Sequence, residues 1–269
     1  MRLIGHKGAD AIHPGNTLES FAAAVEAGVD MIEIDVLRPR SDFERAADWT
    51  TAAAGPVSNP GGPLLVAHDW GDARRRDPLD LDAVLDAFLA PPLDRVQVNV
   101  DLKVAGREDE VLAALRERDL IARASISTQE VGSLVEFRRL EPELRIGWTL
   151  PRTTKDWNSK VWAKPLIVGA LVAMRRRLPG IVTRRAPQLG VEALWAYHLV
   201  ITGRLLADCR EIGIELIAWT VDDAERMHEL AELGVDGICT NDPRLFAEVG
   251  LAGQASGSPG TRSTPRASK

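Results

Sequence analysis

Residues 17–36, TLESFAAAVEAGVDMIEIDV, contain the change of pattern that decides the fold. The first part, TLESFAAAVEA, is typical of a helix, whereas MIEIDV is a short apolar run typical of a buried strand. Gly28 lies between the two parts, where the left-handed backbone that follows a last helical turn favours glycine. The segment therefore predicts a helix, a glycine cap and a strand.

The same joint recurs along the chain, and each copy precedes a short apolar run. It reads Gly190-Val191-Glu192, Gly213-Ile214-Glu215 and Gly234-Val235-Asp236. Strands that alternate with amphipathic helices indicate βαβ units and a parallel sheet. About eight strands are predicted, and they lie at Leu3–His6, Met31–Val36, Val98–Lys103, Ser125–Thr128, Arg145–Thr149, Ala193–Tyr197, Glu215–Thr220 and Gly237–Thr240. Eight strands in a chain of this length predict an α/β fold, a (β/α)8 TIM barrel.

Two segments depart from the repeat. Leu37–Pro63 is rich in Pro, Gly, Ala and Ser, and a ninth extended run, Leu64–Ala67, follows it. We interpret it as a small insertion at the barrel mouth after the second strand. Residues 252–269 are rich in Gly, Ser, Pro and Thr, which predicts a disordered tail. The barrel domain is therefore expected to span residues 1–251.

The bulk composition excludes some classes of function. The 269 residues carry a net charge of −6, which argues against a general nucleic-acid binder but is compatible with a small anionic substrate. Cys209 and Cys239 form no CxxC pair and are expected to be buried thiols in a reducing compartment. The N-terminus lacks the apolar core of a signal peptide, so a cytoplasmic location is expected. No pattern indicates an oligomeric state.

The apolar run Pro165–Met174 is followed by three arginines, Arg175–Arg177. The run is far shorter than the roughly 20 residues needed to cross a bilayer. We favour a helix on the barrel surface with a solvated basic end, while peripheral contact of residues 165–177 with an anionic membrane stays open.

Polar residues cluster at the predicted strand ends, where barrel enzymes place their chemistry. Glu33 and Asp35 are two residues apart in one strand, so both side chains point to the barrel lumen. Two buried carboxylates repel each other, and a hard divalent cation such as Mg²⁺ or Ca²⁺ is a suitable partner. Asp101 can complete the ligand set, and Lys103 can bind an anion beside it. An internal ion network of these groups is the alternative.

Several stretches, in order along the chain, carry a specific resemblance. Residues 6–36, HKGADAIHPGNTLESFAAAVEAGVDMIEIDV, resemble the opening of the glycerophosphodiester phosphodiesterase family. LLVAHDW (64–70) is similar to its second histidine motif, and VNVDLK (98–103) to its Glu-x-Lys strand. IAWTVDD (217–223) and LGVDGICTNDP (233–243) are similar to its C-terminal motifs.

The resemblance implies a role for each matching residue. It implies that His6 and His68 are the general acid and base, and that the metal ligands are Glu33, Asp35 and Asp101. The residues implied to bind or shape the phosphate and substrate site are Lys7, Asn16, Lys103 and Trp219.

Three positions depart from the family pattern. Lys7 stands where the family usually has arginine, so the bidentate grip on phosphate is lost. Gly15 replaces a glutamate, and Asp101 is one methylene shorter than the usual glutamate. These departures bear on substrate and metal preference more than on the reaction class.

The resemblance implies metal-dependent hydrolysis of small glycerophosphodiesters to glycerol 3-phosphate and an alcohol. Two alternatives remain open at this point. One is a lysophospholipase D-like phosphodiesterase acting on lipid substrates. The other is a non-catalytic barrel that binds phosphate or head groups, although a pure binder does not need a pair of histidines.

Overall fold

The structure is a computed structural model that describes residues 1–39, 62–151 and 164–251, with the backbone alone for residues 164–168. The strands are β1 (Arg2–His6), β2 (Met31–Leu37), β3 (Leu65–Val66), β4 (Gln97–Leu102), β5 (Ala124–Thr128), β6 (Arg145–Leu150), β7 (Ala193–Tyr197), β8 (Glu215–Trp219) and β9 (Gly237–Thr240). The helices are α1 (Leu18–Glu26), α2 (Trp70–Arg75), α3 (Leu81–Ala87), α4 (Glu108–Glu117), α5 (Val131–Leu140), α6 (Lys164–Leu189), α7 (Gly203–Glu211), α8 (Ala224–Leu233) and α9 (Arg244–Glu248).

Eight of the strands form a closed parallel barrel. β1 pairs with β2 on one side and with β9 on the other, and the remaining strands follow in the order β4 to β8. The predicted TIM barrel is confirmed, and the eight predicted strands match the observed ones to within two residues at either end. The ninth run is the short strand β3, which pairs antiparallel with the end of β2 through Val36 and Val66. The barrel mouth is the end at which the parallel strands finish.

The glycine joints have the predicted backbone. Gly28, Gly190, Gly213 and Gly234 have φ angles of 86°, 62°, 75° and 87°. A side chain is disfavoured at such angles, so glycine allows the chain to leave each helix and enter the next strand directly.

The acidic residue that ends each joint lies at the N-terminal end of the barrel, and it binds a neighbouring strand. The carboxylate of Asp30 accepts a hydrogen bond from the backbone N–H of Leu3 at 2.8 Å. Asp236 accepts one from Leu216 at 2.8 Å, and Glu192 accepts one from Ile146 at 2.9 Å. The joint therefore connects one strand to the next and also fastens the adjacent strand.

The strands bury apolar side chains on both of their faces, as parallel strands in a barrel do. Ile32, Ile34 and Val36 of β2 point outward into the layer between strands and helices, and all three are fully buried. A smaller apolar cluster fills the lumen and includes Ile4, Met31, Ala193, Trp195, Ile217 and Cys239. The lumen is thus closed below the mouth.

Both cysteines are buried and unpaired, as expected. Burial raises the pKa of Cys209 to about 12. Both thiols are therefore protonated at neutral pH, and burial raises the pKa of Cys239 in the same direction.

The run that begins at Pro165 lies in helix α6, as predicted. Among the residues that the structure describes, no helix combines the length and apolarity needed to cross a membrane. The insertion predicted for Leu37–Pro63 lies outside the described residues from position 40 to position 61, and the predicted tail, residues 252–269, lies outside them entirely.

Candidate active site

The barrel register places the predicted site residues side by side. His6 at the end of β1 is paired with Glu33 of β2, and Asp35 of β2 is paired with Asp101 of β4. Lys103 follows β4 directly, and His68 follows β3. The predicted acids, histidines and lysine therefore meet at one mouth, because neighbouring parallel strands end together.

Three carboxylates form the centre of this group. Oxygens of Glu33, Asp35 and Asp101 lie within 4.8 Å of one another, and their side chains are buried. The ammonium of Lys103 contacts both Asp35 and Asp101. One positive charge thus faces three negative ones in a site with little water, so the group has an excess of negative charge.

The pKa values follow from this crowding. Burial raises the pKa of Glu33 well above its usual range, and the charge of Asp35 raises it further. Burial also acts to raise the pKa of Asp35, but the charge of Lys103 and the hydrogen bond from His68 hold it well below its usual range. Burial acts to lower the pKa of Lys103, but Asp101, Asp35 and Glu33 together hold it well above the usual value.

The donor set suits a divalent cation. Asp35 Oδ1 is buried and accepts no well-formed hydrogen bond from the described residues, although the Lys103 ammonium lies against it. Asp101 uses its Oδ1 to accept a hydrogen bond from Ser127 at 2.8 Å. Carboxylate oxygens are the ligands that Mg²⁺ and Ca²⁺ prefer. The three acids therefore fit a hard cation, while their contacts with Lys103 show that the predicted ion network also exists in part.

Asn16 holds Asp35 in place. Its amide donates to Asp35 Oδ2 at 2.9 Å, and its carbonyl oxygen accepts from the Asp35 backbone N–H at 3.1 Å. Asn16 is itself buried and has a φ of 61°, a conformation that asparagine tolerates better than most residues. Asn16 therefore orients a candidate metal ligand, and its role in shaping the substrate site stays a prediction.

His6 has a defined tautomer. The amide N–H₂ of Asn241 donates to the Asp222 carboxylate at 2.6 Å, so the Asn241 carbonyl oxygen is the atom that faces His6. That oxygen lies 2.6 Å from His6 Nδ1, and this nitrogen must therefore carry the proton and donate it. His6 Nε2 is left with a free lone pair, 3.9 Å from Glu33 Oε2. Burial is the main cause that lowers the pKa of His6, so its neutral form dominates at neutral pH.

His68 reaches the same group from the other side. Its Nδ1 lies 3.2 Å from Asp35 Oδ2, and because a carboxylate only accepts, Nδ1 is the donor. The His68 side chain is about half exposed, at 52%, whereas that of His6 is 16% exposed. The two histidines thus lie beside one acid cluster in different surroundings.

Lys7 contributes its backbone as well as its charge. It has a φ of 53°, and its N–H donates to Glu33 Oε2 at 2.9 Å. Its ammonium lies 2.6 Å from Asp10 Oδ2. Asp10 also accepts from the Gly15 N–H at 2.6 Å, and a Cβ added at Gly15 would lie 2.6 Å from the same carboxylate. Asp10 therefore occupies the space that a side chain at position 15 would need.

Trp219 ends β8 and belongs to the lumen cluster. Its ring packs against Tyr197 at a centroid distance of 5.6 Å, and its indole N–H is buried without a hydrogen-bond partner among the described residues. Its predicted role in lining the substrate pocket remains a prediction.

Sequence reasoning missed four residues that support the site. Asn241 and Asp222 orient His6, Asp10 holds Lys7, and Ser127 holds Asp101. A signal existed for Asn241 and Asp222, which follow β9 and β8 at the mouth, and for Ser127, which lies near the end of β5. Asp10 lies in a loop, and no strand pattern points to it.

Comparison with known proteins agrees with the geometry. The profile of the glycerophosphoryl diester phosphodiesterase family matches residues 6–41 and 93–245. A glycerophosphodiester phosphodiesterase of Caldanaerobacter subterraneus is 25% identical over 92% of this chain and 96% of its own length.

Two solved structures share the fold. A putative glycerophosphoryl diester phosphodiesterase from Silicibacter pomeroyi has a TM-score of 0.64 and 24% identity, covering 94% of this chain and 95% of its own. An Oleispira antarctica phosphodiesterase in complex with the product sn-glycerol-3-phosphate has a TM-score of 0.63 and 15% identity, covering 93% of this chain and 96% of its own. With most of the chain matched by the family profile, from the first histidine at the barrel mouth to the last helix, this protein belongs to the glycerophosphoryl diester phosphodiesterase family.

Proposed function

We propose that this protein hydrolyses glycerophosphodiesters to glycerol 3-phosphate and an alcohol at the charged mouth of its barrel. Family membership makes it an enzyme that cleaves phosphodiesters. The Caldanaerobacter relative has this activity in its name, and the Oleispira structure holds sn-glycerol-3-phosphate. The observation that carries the proposal is that two histidines from distant parts of the chain lie beside one cluster of three buried acids.

Glu33, Asp35 and Asp101 would hold the divalent cation, Mg²⁺ or Ca²⁺. Bound there, such an ion would supply positive charge next to the non-bridging phosphate oxygens. The requirement follows from the charge excess of the three acids, which Lys103 alone does not balance.

His6 suits the role of general base. Its Nδ1–H is held by Asn241, so Nε2 is the atom that can take a proton from the attacking hydroxyl. Burial keeps the ring neutral near pH 7, which is the form a base needs. The attacking oxygen then bonds to phosphorus. In the first step the family resemblance implies that this oxygen is the glycerol's own hydroxyl, and water later opens the resulting cyclic phosphate.

His68 suits the role of general acid. Asp35 holds its Nδ1, so Nε2 is the atom that can give a proton to the leaving alkoxide as the phosphorus–oxygen bond breaks. The partly exposed position agrees with a group that meets the leaving alcohol at the rim. Microscopic reversibility then has the two histidines exchange roles when water opens the cyclic product.

Lys7, Lys103, Asn16 and Trp219 would complete the substrate site. The two lysines bring fixed positive charge to the cluster, and phosphate would compete with Asp10 and Asp101 for their ammonium groups. Asn16 would act through its hold on Asp35. Trp219 would present an apolar ring to the glycerol or alcohol part.

A second candidate is a lysophospholipase D-like activity on lipid substrates. It is favoured by exposed apolar residues and arginines on helix α6, near the mouth. Comparing rates on lysophospholipid vesicles with rates on soluble head-group diesters separates the two candidates.

The direct test measures release of glycerol 3-phosphate from a panel of soluble glycerophosphodiesters. We expect turnover that EDTA abolishes and that Mg²⁺ or Ca²⁺ restores. The Asp35→Asn variant should remain folded and should stay inactive after either ion is added. Full turnover in a thoroughly chelated sample would remove the metal from the proposal, and no release from any diester would reject the function.

The division of labour between the histidines has its own test. In a diester whose alcohol is p-nitrophenol, the leaving group departs as the phenolate without protonation, so its release does not need a general acid. In a single turnover on this substrate, the His68→Ala variant should release p-nitrophenol at close to the wild-type rate, whereas His6→Ala should not. A single turnover isolates the first step from the second, in which His68 acts as the base. The opposite pattern would exchange the two roles.

A further inference from the structure

Helix α6 differs from the other described helices in both length and charge. It has 26 residues, whereas α5 and α7, on either side of it in sequence, have ten and nine. It carries one lysine and five arginines and no carboxylate, although the chain as a whole has a net charge of −6. A concentration of positive charge on one helix of an acidic protein calls for a reason outside the barrel core.

The first part of α6 extends beyond the barrel mouth. Arg175 Nε donates to the carbonyl of Leu199 at 2.7 Å, and Leu199 lies in the turn that follows β7 at the mouth end. The helix runs from the mouth toward the opposite end, because it connects the end of β6 to the start of β7. The residues before Arg175 therefore lie above the level of the mouth, by about 1.5 Å per residue.

This part of the helix packs on one face only. Leu171, Met174 and Leu178 lie against the core at helical spacing. The opposite face exposes Ala170, Val172 and Ala173, and Val172 is 43% exposed. Apolar residues therefore face solvent beside the mouth.

Two of the three arginines at the base of this part have no ion-pair partner among the described residues. Arg176 and Arg177 are exposed, and neither forms an ion pair with a residue in the described ranges. The side chain of Arg175 is exposed as well, although it bonds to Leu199. An apolar segment above the mouth thus ends in a band of positive charge at the level of the mouth.

We propose that α6 docks the protein on an anionic phospholipid surface with the barrel mouth facing the lipid. In this orientation the exposed Val172 and Ala173 face the lipid interface, and the adjacent Arg175–Arg177 meet the phosphates of one leaflet. An acidic protein or a nucleic acid would complement the arginines but would leave the apolar segment in water.

Docking in this way brings the active site to the source of lipid-derived diesters. The arginines hold the protein at the surface only when the lipids are anionic, since each basic residue near such a surface contributes about 1 kcal/mol of attraction. The proposal does not depend on the proposed activity, because membrane binding is measured without turnover.

The test is flotation of the full chain with vesicles of phosphatidylcholine, with and without about a third of phosphatidylglycerol. We expect binding to the anionic vesicles and much less to the neutral ones. Arg176→Gln/Arg177→Gln should weaken binding on the order of 25-fold, at about fivefold for each charge removed. Val172→Asp should weaken it as well, because it places a negative charge against an anionic interface.

The matched control is Arg184→Gln/Arg185→Gln, which removes the same charge from an exposed pair on the same helix. These residues lie about 12 Å farther from the mouth, beyond a Debye length of about 8 Å, so binding should fall by less than about threefold. Circular dichroism confirms that each variant is folded. Equal losses for the two pairs would mean unspecific attraction and would overturn the proposal. Absence of binding, or self-association that covers Val172, would overturn it too.

Discussion

The two ends of the barrel use carboxylates in opposite ways. At the N-terminal end, Asp30, Glu192 and Asp236 each accept a hydrogen bond from the backbone N–H of a neighbouring strand. At the mouth, three carboxylates lie together, and the single ammonium of Lys103 contacts two of them. The acids at the N-terminal end are kept apart from one another, whereas the mouth brings three carboxylates within 4.8 Å of one another.

The difference separates stability from chemistry. An acid with a fixed donor stabilises the fold, because its strand neighbour would otherwise lose a hydrogen bond. Buried acids that lie close together repel one another and raise the free energy of the folded protein, and such sites are typical of binding and catalysis. Changes at the mouth should therefore alter activity, whereas changes at the opposite end should alter the free energy of unfolding.

The largest expected effect is at the mouth. Replacing His6 or His68 by Ala should lower kcat by at least about a hundredfold, the low end for general acid–base catalysis. Substrate binding and melting temperature should change little, because the acids and lysines remain. The fall in kcat of the double variant should be much smaller than the product of the two single falls, since the effects of residues that act as a unit are non-additive.

The control for this pair is His228→Ala. His228 lies on α8 and is exposed, and among the described residues its ion-pair partner is Glu232, away from the mouth. Its turnover should equal that of the wild type. Wild-type kcat in a folded His6→Ala or His68→Ala protein would remove that histidine from the mechanism.

The next effect belongs to the other end. Asp236→Ala should lower the free energy of unfolding by about 1–3 kcal/mol, because the Leu216 N–H loses its acceptor. Asp236→Asn keeps an acceptor oxygen and should lose less, which separates the hydrogen bond from the charge. Urea unfolding measures both, and kcat should stay at the wild-type level. A fall in kcat without a loss of stability would break the division between the two ends.

The sequence predicts the mouth better than it predicts the opposite end. Strand alternation places Glu33 and Asp35 in the lumen, and the strand-end rule brings His6, Asp101 and Lys103 to them. The sequence does not show that Asp101 and Asp35 are paired with Lys103, because side-chain contacts across strands depend on the register of the closed barrel.

The glycine joints at the N-terminal end also show what sequence alone can and cannot predict. Their glycines are predictable from the local backbone that a helix end requires. The function of the acid after each glycine is not, because its partner is a backbone group on another strand, 20 to 46 positions away in sequence. Asn241 escaped prediction for the same reason, since its partner His6 lies at the other end of the chain. Asp10 escaped because it lies in a loop that no strand pattern marks.

At the mouth we expect a smaller effect on the free energy of unfolding, opposite in sign to that of Asp236→Ala. The pKa of Glu33 is raised in the folded protein, mainly by burial and then by Asp35. The folded protein therefore keeps a proton that the unfolded chain releases, and stability is lost as the pH rises above the unfolded pKa. Glu33→Gln has no such proton, so in EDTA it should be more stable than the wild type at neutral pH by roughly 1 kcal/mol or more.

The same variant should be inactive, and the gain should vanish below about pH 4, where the glutamate is protonated in both states. Excess Mg²⁺ or Ca²⁺ should narrow the difference, since it stabilises the wild-type ligand set. Urea unfolding across this pH range, with and without the ion, measures both effects. A Glu33→Gln protein less stable than the wild type in EDTA would show that the mouth acids are already satisfied.

The smallest effect concerns Glu215 at the N-terminal end. Its carboxylate binds Arg2 at 2.6 Å and Arg145 at 2.7 Å. Burial acts to raise the pKa of Glu215, but the hydrogen bond and charge of Arg2, with the charge of Arg145, hold it below the usual value. A lowered pKa contributes stability above the unfolded pKa, and this stability is lost as the pH falls through the folded pKa.

Glutamine has the shape of a protonated glutamate and, like it, carries no charge. Glu215→Gln should therefore lower the free energy of unfolding by about 1 kcal/mol or less at neutral pH, where solvent screens this partly exposed group. The difference from the wild type should stay constant between neutral pH and about pH 5, and it should disappear as the pH falls through the lowered folded pKa. Glu33→Gln and Glu215→Gln should therefore show opposite signs at pH 7 and converge with the wild type in acid. A Glu215→Gln protein that is more stable than the wild type at pH 7 would mean that the two ends treat their carboxylates alike, because the acid would then be destabilising despite its two arginines.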